Sequence, residues 1–90
     1  MDQTSENYWR VRGYCHSVKV KPSPTGEGYI YTLMLGYAED ELFPITAYRS
    51  KESDRLEALA GSGWLVEAQG HFRFYGPTPD MVMADYEVIG

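Results

Sequence analysis

The side chains in this sequence that are best equipped for chemistry are flat rings and cations rather than nucleophiles. Tyr29, Tyr37, Tyr48 and Tyr75 fall within or beside stretches that read as strands and hairpins. A tyrosine face can stack on a nucleobase for about 1–3 kcal/mol, and basic side chains nearby can track phosphates. The basic side chains placed to do so are Arg10, Arg12, Lys19, Lys21, Arg49 and Arg73. Between residues 7 and 26 there are four Lys/Arg and no Asp/Glu, in a chain whose net charge is −5. A basic first strand in an acidic protein is the sharpest functional signal in the sequence.

Other chemistries find little support. His16 and His71 are the only histidines and Cys15 the only cysteine. No Cys-x-x-Cys or His-x-x-x-His spacing is present, so no metal site is expected. The serines sit in turns and near a helix start, where local hydrogen bonding accounts for them. Gly26-Glu-Gly28 is a hairpin signal, not a phosphate loop. The reading is a non-enzyme without a cofactor. A lone cysteine cannot staple its own chain, and Cys15 reads as a small core filler in a cytoplasmic protein. No apolar run approaches the roughly 20 residues that span a bilayer, and no membrane association is expected.

The elements that position these side chains follow from period and punctuation. Ninety residues, 43% hydrophobic and 14% aromatic, suit one β-rich domain over residues 8–90 behind a loose polar tail, residues 1–7. Residues 8–20 read as one long strand, with Trp9, Val11, Gly13 and Cys15 on one face and Arg10, Arg12, Tyr14 and His16 on the other. Gly13 marks the bend at which that strand pairs in two directions. Residues 21–28, with two prolines and two glycines, form a loop. Residues 29–37 form a second strand, with Tyr29, Tyr31, Leu33 and Leu35 toward the core. An acidic turn, 38–41, leads to a third strand, 42–48, in which Pro44 implies an edge or a bulge. Ser50 or Ser53 caps a helix of about two turns with the stripe Leu56, Leu59, Ala60, ended by Gly61 and Gly63. Residues 64–74 alternate cleanly as a fourth strand, residues 75–80 are a hairpin loop, and residues 81–89 are a fifth strand.

The resulting order, β-β-β-α-β-β, matches the all-β, five-stranded Greek-key barrel called the OB-fold. In detail the chain resembles the OB domain of bacterial single-stranded DNA-binding proteins and the related primosomal replication protein N. Val11-Arg-Gly-Tyr-Cys15 resembles the family's opening strand. Pro24-Thr-Gly26, followed by Tyr31-Thr-Leu33, is similar to its first hairpin. Ile45-Thr-Ala-Tyr48 resembles the third strand with its terminal aromatic, and Gly63-Trp-Leu-Val-Glu-Ala-Gln-Gly-His-Phe72 resembles the fourth. The resemblance implies binding of single-stranded DNA, or RNA, with Tyr48 as a stacking ring; self-association is expected separately, since β-edges and exposed aromatics invite pairing. The chain also departs from the family pattern. Leu42 stands where the family tends to place a stacking tryptophan, the turn at 38–41 is short and acidic, and the chain ends at Gly90 without the family's long acidic tail.

The expectation is therefore a specialised or accessory binder in replication, recombination or repair, working as a homodimer or larger assembly with a possible replication or recombination protein partner. Its expected contacts are Arg10, Arg12, Lys19, Lys21, Tyr29, Tyr37, Tyr48, Arg49, Arg73 and Tyr75. The competing expectation is an OB-fold protein-interaction subunit that touches no nucleic acid.

Overall fold

In a computed structural model, which describes residues 7–74 and 76–90, the chain forms five strands in one sheet and one short helix. The strands are β1 (Tyr8–Pro22), β2 (Tyr29–Gly36), β3 (Phe43–Arg49), β4 (Leu65–Arg73) and β5 (Asp80–Val88); the helix is α1 (Asp54–Glu57). The pairings run in the order β1-β2-β3-β5-β4 and return to β1. All ladders are antiparallel except β3–β5, which is parallel and limited to Ile45↔Met81 and Thr46↔Val82. Among the described residues no helix is long and apolar enough to cross a membrane. Residues 1–6 of the expected tail, and Tyr75, lie outside the described residues.

β1 supplies the geometry on which the rest depends. Its first half pairs with β4, from Tyr8↔His71 to Tyr14↔Leu65, and its second half with β2, from Tyr14↔Gly36 to Pro22↔Tyr29. Gly13 lies at the overlap. A Cβ there would stand 2.7 Å from the backbone of Gly36, so only glycine lets the two strands approach this closely. A bulge at His16, between Cys15 and Ser17, then shifts the register by one residue. A one-residue shift exchanges the two faces of a strand. Trp9, Gly13 and Cys15 face inward before the bulge, and Val18 and Val20 pair with the core residues Leu33 and Tyr31 after it. Arg10, Arg12, Tyr14, Ser17, Lys19 and Lys21 consequently share the outer side of one strand.

The core is built from inward residues of every element: Trp9, Cys15, Tyr31, Leu33, Leu35, Ile45, Ala47, Leu56, Leu59, Val66, Ala68 and Met83. Two polar groups of the core find partners across the fold. The Trp9 indole donates to the His71 carbonyl at 2.9 Å. The fully buried Tyr31 hydroxyl accepts from the Ser53 backbone N–H at 2.6 Å. Ser53 is the N-cap of α1, its side chain accepting from the Leu56 N–H, so Tyr31 ties the helix start to β2. The helix is a single turn rather than the expected two. Leu56 and Leu59 are buried, whereas Ala60 is exposed; the helix carries Leu56, and Leu59 is delivered by the turn that follows it. Pro44 sits in β3 opposite Met34, beyond the short stretch that pairs with β5. It thus occupies a position paired on one side only, which suits a residue with no N–H to donate.

Candidate nucleic-acid interface

The register of β1, β2 and β3 assembles a continuous outer face. Its rows read Lys21–Ile30–Tyr48, Lys19–Thr32–Thr46 and Ser17–Met34–Pro44. No carboxylate occurs in these rows. Tyr48 is 40% exposed at one corner, and Arg73 from the end of β4 lies over it, its guanidinium carbon 4.8 Å from the ring centroid. The same guanidinium donates to the Tyr48 hydroxyl. A cation held against a ring fixes the ring's orientation and presents a positive group beside an aromatic surface. Asp80 stands opposite Arg73 in the β4–β5 ladder.

Of the residues expected from the sequence, Lys19, Lys21, Tyr48 and Arg73 are gathered on or against this trough. Arg49 borders it from the next position, where its guanidinium donates to the Tyr48 carbonyl at 2.8 Å. Tyr29 is placed differently. It pairs with Arg49 on the alternate, inward row and packs partly buried against the core. Its place in the period-two pattern put it there, beside Tyr31, Leu33 and Leu35.

Arg10 and Arg12 belong to the other half of β1, opposite Gln69 and Glu67 of β4. Arg12 makes an ion pair with Glu67 at 3.2 Å. Arg10 has its guanidinium pKa raised, chiefly by a hydrogen bond with Tyr8 and by the Tyr8 charge, and then by Glu67. Both arginines thus draw on protein partners. They also line a groove of about 630 Å³ whose other wall is Gly36, Tyr37, Glu41, Leu42 and Phe43. Tyr37 is 61% exposed and meets Tyr14 edge-on, the ring centroids 6.0 Å apart. Leu42, Phe43 and Tyr14 were absent from the sequence-derived set. The signal that could have found Tyr14 was its position on the same face as Arg10 and Arg12.

Cys15 is buried, its thiol donating to the Ser17 carbonyl, and burial pushes its pKa up. Among the described residues no cluster of three or more His, Cys, Asp or Glu side chains is arranged to hold a metal. No protein-family model matches the chain, and no curated protein does.

Proposed function

We propose that the chain is an OB-fold barrel that binds single-stranded DNA across the outer face of β1, β2 and β3, as a specialised or accessory binder in replication, recombination or repair. The strand order with its single parallel β3–β5 contact supports the Greek-key assignment. One observation carries the binding reading: in a protein of net charge −5, the rows joining Lys19 and Lys21 to Tyr48 contain no carboxylate. Arg73 adds a cation over the Tyr48 ring. Ile30, between Lys21 and Tyr48, and Met34, between Ser17 and Pro44, give the same face an apolar floor on which a base can lie.

The magnitudes are adequate for moderate affinity. One or two stacked bases contribute about 1–3 kcal/mol each. Contacts to three or four phosphates give a salt slope of about −2 to −3 on a log–log plot for a single strand. A micromolar complex corresponds to about −8 kcal/mol. The test is fluorescence anisotropy of labelled DNA and RNA oligonucleotides at low and at high salt. Binding at low salt that weakens steeply with salt is the expected result, and a flat titration at low salt rejects the assignment. The DNA and RNA arms together fix the preference.

A second reading is favoured by the groove at Arg10, Arg12, Tyr37 and Phe43, whose mostly apolar walls and paired arginines suit a peptide side chain better than a phosphate track. A protein-interaction role predicts no oligonucleotide binding at any salt.

A further inference from the structure

The trough does not stop at the row Ser17–Met34–Pro44. β2 alternates without a bulge, so Ile30, Thr32, Met34 and Gly36 occupy successive positions on its outer side. The next row of that face is Tyr14–Gly36. Tyr14 is 40% exposed, as is Tyr48 at the other end. Its ring meets the ring of Tyr37, the residue after Gly36, edge-on at 85°. Gly36 itself presents no side chain. A Cβ there would stand 3.1 Å from Leu42 Cδ2, so Leu42 closes over the bare position and continues the apolar floor begun by Ile30 and Met34.

The span between the two aromatic ends is set by the sheet. From Ile30, beside Tyr48, to Gly36, beside Tyr14, β2 advances about 20 Å, and Tyr48 on β3 lies two strand spacings, about 10 Å, from the line of β1. The diagonal between the rings is therefore about 22 Å. A strand stacked at about 3.4 Å per nucleotide covers it with about six or seven nucleotides. The ends also differ in charge. Lys21 and Arg73 stand with Tyr48, and Lys19 is in the next row. Beyond Tyr14 the neighbouring groove holds both signs, Arg10 and Arg12 on one wall and Glu41 on the other, and Arg12 is paired with Glu67. The Tyr14 end thus offers a ring without a cationic track.

We propose that Tyr14, backed by Tyr37, is a second stacking ring of the same site, and that the full ligand is a single strand of about six or more nucleotides lying diagonally from Tyr48 to Tyr14. This rests on the single-strand function proposed above and adds to it the length of the ligand and the residue that measures it. Phosphates are held at the Tyr48 end, and a base alone is held at the Tyr14 end.

Anisotropy titrations of labelled oligothymidylates of about 4, 8 and 12 nucleotides, lengths below, just above and well above the span, test it. Wild-type affinity rises at least about tenfold from the shortest to the middle length and little beyond it, as a second stacked base requires. Tyr14→Ala weakens binding of the two longer strands by about five- to a hundredfold and leaves the shortest, held at Tyr48, unchanged. The log–log salt slope for the longer strands stays the same, because no phosphate contact is lost. Tyr14→Phe keeps the ring and the affinity. Tyr14→Leu, which keeps an apolar cover on the strand without a flat ring, shows the same length-selective loss as Tyr14→Ala. Longer strands that bind Tyr14→Ala or Tyr14→Leu as tightly as the wild type overturn the second ring and leave the Tyr48 trough standing. So does a loss that is equal at every length, or one that lowers the salt slope. Absence of binding at any length in low salt removes the single-strand function and the second ring together.

Discussion

At the scale of single residues, Tyr48 and Cys15 have opposite exposures and opposite uses. Tyr48 keeps its ring at the surface while its hydroxyl and its π-face both engage Arg73. If the ring is a stacking platform, Tyr48→Ala weakens oligonucleotide binding by about 1–3 kcal/mol while leaving the circular dichroism spectrum unchanged. Tyr48→Phe keeps the ring and loses only the hydroxyl contact, so it retains most of the affinity; equal losses in the two variants would assign the effect to the hydroxyl instead. Cys15 is inside, and burial raises its thiol pKa. The neutral thiol is thus favoured in the folded chain. Its contribution to stability is intact below the unfolded thiol's pKa of about 8.5 and declines as pH rises from there toward the higher folded value. Alkylation of native protein at pH 8 is expected to proceed at the rate of opening, and to become immediate in denaturant. Rapid labelling of the native chain would contradict the buried placement.

At the scale of elements, the long first strand was legible where its chemistry was periodic. Trp9, Val11, Gly13 and Cys15 announce one inner face, and Gly13 announces the bend. The phase change was also present in the sequence, because Val18 and Val20 alternate with Lys19 and Lys21 out of step with the first half. Extending the first half's period without a bulge puts both lysines inside; the extra residue at His16 puts them outside. A bulge leaves no residue-type signature here, since His16 is an ordinary strand residue. The helix was legible through Ser53, Leu56 and the glycines that follow, but its length was not. Its start is set by a long-range hydrogen bond from the Ser53 N–H to the Tyr31 hydroxyl, and no local pattern encodes a partner 22 positions away. Removing that hydroxyl leaves a partly buried N–H unpaired, so Tyr31→Phe should lower unfolding free energy by about 1–3 kcal/mol in urea titrations. A stability within about 0.3 kcal/mol of the wild type would mean that water or another acceptor takes over, which would remove the helix start from the list of features that Tyr31 fixes. The candidate site divided along the same line. Residues whose placement follows from strand phase, such as Tyr48, were found, whereas the separation of Arg10 and Arg12 from Lys19 and Lys21 required knowing which strands flank each half of β1.

At the scale of the whole molecule, net charge misleads unless it is resolved by face. The outer side of β1 with β4 and β5 carries Arg10 and Arg12 against Glu67, Asp85 and Glu87. The outer side of β1 with β2 and β3 carries Lys19 and Lys21 with no acid in their rows. Electrostatic screening acts over about 8 Å at physiological salt, so charges around the far side of the strand ring contribute little to the field above the trough. Local composition, rather than the total of −5, should then govern affinity. Three paired changes separate these possibilities, the two glutamine pairs being of equal charge magnitude. Lys19→Glu with Lys21→Glu removes two phosphate contacts and should reduce the steepness of the salt dependence by about 1.4, at 0.7 per contact on a single strand, with a large loss of affinity at low salt. Lys19→Gln with Lys21→Gln, which only neutralises, should reduce the slope equally with a smaller loss. Glu67→Gln with Glu87→Gln makes the molecule less acidic by two charges on the opposite side and should change affinity less than twofold at physiological salt. If the glutamine pair on β4 and β5 strengthens binding as much as the glutamine pair on β1 weakens it, the oligonucleotide responds to total charge, and the acid-free rows of the trough do not define where it binds.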